Sequence, residues 1–386
     1  MDKSVFDIKP PDIDISVAMK KTTSDIRKSL SQKSIVAPRR EALTDSDAEL
    51  KRMLDRRTVR TLIVGVGGAG NNMISRFQEA MNPGCRTICV NTDVQDLYYS
   101  NADEKILIGK RLTRGLGAGN DHITGELAAS EDFERIKMIM EGDLVFLACG
   151  LGGGTGTGAT PLIAKAAKER GAVVVSIVTL PFKMEGTKKG MVALQGLNKL
   201  AKHSDTIIPL PNQRLLSLVP DLKLHQGFKI MDEILVRSVS GTVDLITKPG
   251  LVNLDFADIK SIIEKRRSYN NELFSSPSVI GMTEVSQFSE SHLIKYTTRA
   301  LNNPLIDPET TEIKNALVGI AGDYNVNLKQ VNTIVSAVSD QIHPSANIKW
   351  GFIQNPTLKG KMKITIMGNG FDSKILTSAI ENFGDV

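Results

Sequence analysis

Residues 152–158 read Gly-Gly-Gly-Thr-Gly-Thr-Gly and stand between an apolar, strand-like run at 144–148 and a helix-like run at 161–168. No other feature of the chain constrains its fold as tightly. Glycines permit turns at positive φ and let backbone N–H groups come close to an anion, the threonines add hydroxyl donors, and a following helix offers its positive end. A flexible linker can have the same composition. Linkers are not abutted by a buried-type strand on one side and an Ala-rich helix on the other, so the segment reads as a phosphate-holding loop.

The flanking pattern agrees. From Val59 onward, apolar strands are expected at 59–65, 86–91, 105–108, 144–149, 172–179 and 206–210, with helical stretches between most of them. This βαβ rhythm implies a parallel sheet with helices on both faces and a ligand beyond the carboxyl ends of its strands. Residues 224–247 carry Leu224, Phe228, Met231, Ile234, Leu235, Val239, Val243 and Ile246 without a proline, which predicts one long core helix closed by Pro249 and Gly250. Helices near 256–266, 291–302 and 327–341 and strands near 278–285, 313–321, 347–355 and 361–369 then predict a smaller α+β domain.

At 386 residues the chain has room for about two domains. It has no continuous apolar span and no signal-like apolar run at its start, so a cytoplasmic protein is expected. The net charge of +5 suggests nucleic acid until it is located. Residues 1–60 hold 14 basic and 10 acidic side chains, which leaves the body nearly neutral and unlike a nucleic-acid-binding domain. Residues 1–42 read as a basic extension without stable structure. Residues 43–58 read as a short docking helix, with Leu50, Met53 and Leu54 at helical spacing and acids preceding bases. Cys85, Cys89 and Cys149 lack zinc-site spacing and read as buried free thiols.

Two further glycine loops decide between nucleotide folds. GVGGAG at 65–70 opens a helix after a strand, and Asp93 follows the next strand, as in a dinucleotide-binding fold. Alone, residues 59–93 would suit a nicotinamide-dependent oxidoreductase. A dinucleotide needs one pyrophosphate loop, however, whereas this chain adds RGLGAG at 114–119 and the 152–158 loop after later strands. Three such loops suit a triphosphate held on several sides, and the absence of GxxxxGK[ST] excludes a P-loop.

GGGTGTG (152–158), GVGGAGNN (65–72), NTD (91–93) and RGLGAG (114–119) closely resemble the signature loops of FtsZ, the prokaryotic relative of tubulin. The resemblance runs from about 59 to about 370. VPDLKL (219–224), ALNNPL (300–305) and NIKWG (348–352) are more similar to the archaeal branch, with a lean toward its second paralogue. The resemblance implies an α/β fold with a tubulin/FtsZ-like GTPase domain at 59–223, a central helix at 224–249 and an α+β C-terminal domain at 250–386. It implies that Gly67, Gly68, Ala69, Gly70, Asn71, Asn72, Ala118 and Gly119, with Gly154, Thr155, Gly156, Thr157 and Gly158, hold phosphates of GTP or GDP. Glu185 and Lys189 fall on ribose and phosphate contacts. The family commonly has arginine where Lys189 stands, so the planar fork is lost.

Asn212, Phe228 and Asp232 fall on guanine contacts. A carboxylate can accept from guanine N1 and N2, and Phe228 and Asp232, four apart, share a helix face. On periodicity alone, Phe228 would be plain core and Asp232 a solvated acid. Mg²⁺ is expected on the phosphates and water, with no protein metal ligand.

Residues 250–258 place Asn253, Asp255 and Asp258 in a mostly apolar loop. Capping of the helix that starts near Phe256 accounts for part of this. Asp255 and Asp258 also project to one side, as polarising a water requires. A continuous helix from Asp232 to Thr247 puts them more than ~20 Å from the guanine end, so catalytic acids here would serve the next subunit in a head-to-tail filament. The family likewise completes a neighbour's GTPase site with an NxDxxD loop. The expectation is a GTP-hydrolysing division-site filament; a non-hydrolysing scaffold filament and the oxidoreductase are the alternatives. The chain ends soon after its last expected strand, so the basic extension is the candidate for membrane-anchor or division partners.

Overall fold

The computed structural model describes residues 59–79, 85–218, 229, 233, 236–237, 239–245, 248, 250–264, 267–269, 272–274, 276–303 and 309–370. The expected extension at 1–42, the docking helix at 43–58, and Phe228 and Asp232 lie outside these, as do parts of the expected central helix.

Six parallel strands build the first half: β1 (Thr61–Val66), β2 (Cys85–Asn91), β3 (Glu104–Leu107), β4 (Leu144–Gly150), β5 (Val173–Leu180) and β6 (Thr206–Pro211). Their order is β6-β5-β4-β1-β2-β3. All six residues of β1 are buried, as are the first six of β4. Helices cover both faces of a parallel sheet, so its strands are continuous apolar runs rather than alternating ones. The chain leaves β1 toward β2 on one side and returns to β4 on the other. This reversal opens a crevice beyond the ends of β1 and β4. Helices α1 (Gly67–Glu79), α2 (Val94–Tyr99), α3 (His122–Glu131), α4 (Thr155–Glu169) and α5 (Thr187–Ala201) connect these strands.

The second half contains α6 (Phe256–Ile263), a hairpin of β7 (Arg267–Tyr269) and β8 (Glu272–Phe274), then β9 (Ser276–Val285), α7 (Glu290–Leu301), β10 (Asn315–Gly322), α8 (Leu328–Ser339), β11 (Asn347–Gln354) and β12 (Met362–Asn369). β9, β12 and β10 pair antiparallel, and β11 runs parallel to β10 at the sheet edge. Residues 239–245 are helical. Val239, Val243 and Leu245 join one core cluster with Ile177 and Ile208 of the first half and Ile280, Leu317 and Met367 of the second.

Three features depart from the sequence reading. The two halves share one ten-stranded sheet, because Ser276 and Pro277 at the start of β9 pair with Thr206 and Ile207 of β6. The expected boundary at 223–250 is therefore no break in the sheet; pairing turns antiparallel one strand later. Residues 267–269 and 272–274 form a short antiparallel pair that no apolar alternation announced. Helix α4 begins at Thr155 rather than near 161 and runs through Pro161. A proline removes a single i→i−4 bond, and the preceding turn is secured by Gly158 N donating to Gly154 O (2.9 Å) and the Thr160 hydroxyl to Gly156 O (2.5 Å).

Cys89 and Cys149 are buried and Cys85 half-buried, and desolvation pushes all three thiols up to about 12. Among the described residues no helix is long and apolar enough to cross a membrane.

Candidate nucleotide site and catalytic loop

The crevice at the strand-order reversal encloses about 890 Å³. Gly67, Gly68, Ala69 and Asn72 line it from the first loop, Ala118 and Gly119 from the second, and Gly154, Thr155 and Gly156 from the third. Glu185, Lys189 and Asn212 line it as well. Helices α1 and α4 both begin in the crevice. Two helix N-termini meeting at one concavity concentrate unpaired N–H groups and positive dipole ends, which is what an oligophosphate requires.

Four expected contacts stand behind this lining. Gly70 and Gly158 are packing positions: a Cβ on Gly158 would lie 2.1 Å from His122 O and 2.5 Å from Glu126 N, so only glycine lets α4 approach α3. The Thr157 hydroxyl accepts from Gly152 N (2.8 Å) and braces the loop. Asn71 is fully buried, and neither its Oδ1 nor its Nδ2 has a partner among the described residues. The hydroxyls of Thr92 and Thr155, 2.7 Å apart, tie the NTD segment to the third loop.

The second loop is held in unusual backbone geometry. Arg114, Gly115, Gly117, Gly119 and Asn120 all have positive φ. Val94 N donates to Gly115 O (3.0 Å) and Gly117 N to Thr92 O (3.2 Å), which fixes the loop against the start of α2. Leu116 at its tip is 82% exposed.

Asp93, which resembled a ribose-binding acid, caps α2: its carboxylate accepts from Gln95 N and Asp96 N. Asn91 of the NTD segment lines the crevice, as do Asp96, Arg76 and Asn120, which were not singled out by motif. Spacing could have found Arg76, one helical turn beyond Asn72 on α1. Asp96 accepts from Asn91 Nδ2 (2.5 Å), and burial raises its carboxyl above the ordinary range despite that bond. Lys189 pairs with Glu185 one turn earlier, and Glu185 also accepts from Phe182 N (2.8 Å). Asn212 Oδ1 is buried without a partner among the described residues.

Residues 250–258 lie elsewhere. Asn253 Oδ1 accepts from Gly250 N (2.6 Å), and Asp255 caps α6 by accepting from Asp258 N (2.6 Å). Asp258 pairs with Lys349 of β11 (2.9 Å), and that hydrogen bond above all holds its carboxyl below the usual range. Capping is thus observed, and it leaves Asn253 and Asp255 exposed. The loop bridges to β11 at Val252 and Phe352. Six inter-strand steps separate β11 from β4, roughly 30 Å along the sheet at ~4.8 Å per step. None of the three polar side chains lines the crevice.

Two family models match the chain: the GTPase domain of the tubulin/FtsZ family over residues 60–220 and the C-terminal domain of the FtsZ family over 278–372. Cell division protein FtsZ 1 of Pyrococcus abyssi is 44% identical over 332 residues, covering 86% of each chain. The chain belongs to the FtsZ family. FtsZ 1 of Methanocaldococcus jannaschii is 41% identical, covering 86% of this chain and 89% of its own. The lean toward a second paralogue rests on the three sequence motifs alone. The solved M. jannaschii FtsZ dimer superposes with a TM-score of 0.74 at 40% identity, over 85% of this chain and 93% of that one. The GTPγS-bound protofilament of CetZ2 from Haloferax volcanii shares the fold, with a TM-score of 0.72 at 21% identity over 84% and 98%. All three glycine loops fall within the GTPase-domain match, which overturns the oxidoreductase alternative.

Proposed function

We infer that this FtsZ-family GTPase assembles head to tail into a filament that serves cell division, and that residues 250–258 of each subunit complete hydrolysis on the GTP of its neighbour. The observation that carries this reading is the separation within one chain. The phosphate loops and the exposed Asn253 and Asp255 lie on distant parts of one sheet. A rigid ten-stranded sheet gives them no route to each other, whereas translating one subunit onto the next brings one end against the other.

In this reading Gly67, Gly68, Ala69, Asn72, Ala118, Gly119 and Gly154, Thr155 and Gly156 cradle the phosphates. Gly70, Asn71, Thr157 and Gly158 maintain the cradle from behind. Asn212, Phe228 and Asp232 contact guanine, and Glu185 and Lys189 the ribose side. Asn253 and Asp255 of the neighbour position and polarise a water, with Asp258 in the same network. The water oxygen forms a bond to the γ-phosphorus, and the bond from that phosphorus to the β–γ bridging oxygen breaks. GDP departs with the bond's electrons, and the water's proton passes into the carboxylate network before release.

Among the described residues no group of three or more His, Cys, Asp or Glu side chains could hold a metal ion. Mg²⁺ would rest on phosphate oxygens and water, with Asp93 and Asp96 as the carboxylates lining the crevice beside the first loop. There it would supply neutralising charge. Recruitment of division or membrane-anchoring partners at the division site is assigned to the basic residues 1–42.

Phosphate release measured against protein concentration tests this function. The specific rate should rise with assembly and fall toward zero in dilute monomer. A rate per subunit independent of concentration would contradict the shared site, and GTP-dependent pelleting without phosphate release would favour the scaffold filament.

A further inference from the structure

The 250–258 loop is held by β11 as well as by its own capping bonds. Leu251 N donates to Phe352 O (2.9 Å) and Phe352 N to Val252 O (3.0 Å), which fastens the loop's backbone to the edge strand. Farther along that strand, Lys349 Nζ lies 2.9 Å from Asp258 Oδ1. The Lys349 and Asp258 side chains keep 40% and 30% of their surface accessible, so the pair sits at the exposed surface that the loop presents. A carboxylate in the first turn of a helix can turn back toward its own free N–H groups. Here the Asp258 carboxylate also bonds the Asp255 backbone at the cap, and an ammonium from a different element adds a second anchor that fixes its direction.

We propose that Lys349 is a positioning residue for GTP hydrolysis: from β11 it orients the Asp258 carboxylate at the docking face and offsets part of the acidic charge the loop brings toward a neighbour's triphosphate. The proposal rests on the reading that this loop acts on the adjacent subunit. Three observations converge on it. The pair joins two elements that are otherwise linked at this point by the backbone bridge at Val252 and Phe352. Asp255 and Asp258 present two negative charges to an incoming polyanion, and Lys349 is the cation paired with one of them. The charged groups facing Asp258 are Lys349 from β11 and Asp255 from the helix cap, and the bond to Lys349 is the foremost cause holding the Asp258 carboxyl low.

The direction of the pH effect follows. With its carboxyl held low, Asp258 stays ionised to lower pH; without Lys349 it returns upward and protonates sooner on acidification. A purely structural ion pair would leave the pH profile of the rate in place.

The test uses full-length Lys349→Met, Lys349→Gln, Lys349→Arg and Asp258→Asn. GTPase rate per pelleted subunit is followed from about pH 5 to pH 8, where a catalytic carboxylate comes into ionisation, and GTP binding is measured in dilute monomer. Both neutral variants should shift the acid limb to higher pH and lose roughly two- to five-fold in rate at its foot, the size expected of a solvent-exposed pair. GTP affinity should be unchanged, and Lys349→Arg should restore the limb. An unmoved acid limb in both neutral variants, with Asp258→Asn inactive, would overturn the role of Lys349 alone. Wild-type hydrolysis by Asp258→Asn would instead overturn the assignment of Asp258 on which the proposal rests.

Discussion

Replacing Asp255 by alanine separates the two roles its geometry permits. As an N-cap it accepts one hydrogen bond, from Asp258 N at 2.6 Å. Losing such a cap costs ~1 kcal/mol. Helix α6 does not depend on it, because Ile259, Ile262 and Ile263 are fully buried and such side chains contribute about 2 kcal/mol each. The helix should persist and Tm should fall by only ~1–2 °C in a unit of this size. Loss of a water-polarising carboxylate, by contrast, costs on the order of 10²–10⁴-fold in rate.

Asp255→Ser sharpens the comparison, since serine restores the cap without the carboxylate. The expected pattern is a Tm near wild type for the serine variant, a small drop for the alanine variant, GTP-dependent sedimentation in both, and phosphate release nearly abolished in both. Recovery of hydrolysis in Asp255→Ser would refute the catalytic reading and leave capping as the whole role.

Two further outcomes test the fold beneath the site. Gly158→Ala sets a methyl against backbone atoms of α3, 2.1 Å from His122 O; thermal melts should show a loss of about 1–3 kcal/mol, and an unchanged Tm would contradict the close packing of α3 on α4. Asp143 accepts from Arg60 N (2.9 Å) and Nη2 (3.1 Å), and the Arg60 side-chain bond above all holds its carboxyl low. A depressed carboxylate stabilises the fold fully above its unfolded pKa, near ~4, and loses that contribution as pH falls from there toward its folded value. Urea midpoints of Asp143→Asn should accordingly lie below wild type at neutral pH and converge with it below about pH 4; a constant gap would refute the ion pair's contribution.

The strands were legible because a parallel sheet covered on both faces demands continuous apolar runs, and runs such as 144–150 and 173–180 have no competing helical period. The glycine loops were legible for a different reason: positive φ at Gly67, Gly115, Gly117 and Gly152 demands glycine itself, so the residue is the signal. What escaped the sequence depends on contacts between distant segments. Ser276 and Pro277 carry no mark of their pairing with β6, and that pairing makes two sheets one. Lys349 sits in an ordinary edge strand and gains meaning only through Asp258, far away in sequence. Asp96 follows a recognisable motif by three residues, yet only the fold turns it toward the crevice. Pro161 misled the placement of α4, since proline reads as a boundary although one lost bond is tolerable.

The shared active site is tested most directly by mixing two inactive subunits. Asp255→Ala keeps its phosphate crevice and loses the loop acid. Gly153→Glu keeps its loop and loses the crevice: Gly153 lines it, a Cβ there meets nothing within 4 Å, and the added carboxylate repels phosphate without disturbing the backbone. Each alone should release almost no phosphate. Mixed in equal amounts with GTP, Asp255→Ala subunits carrying nucleotide will abut intact loops of Gly153→Glu subunits, and phosphate release should reappear. Activity that stays absent in mixtures shown to co-pellet would contradict an active site divided between two molecules.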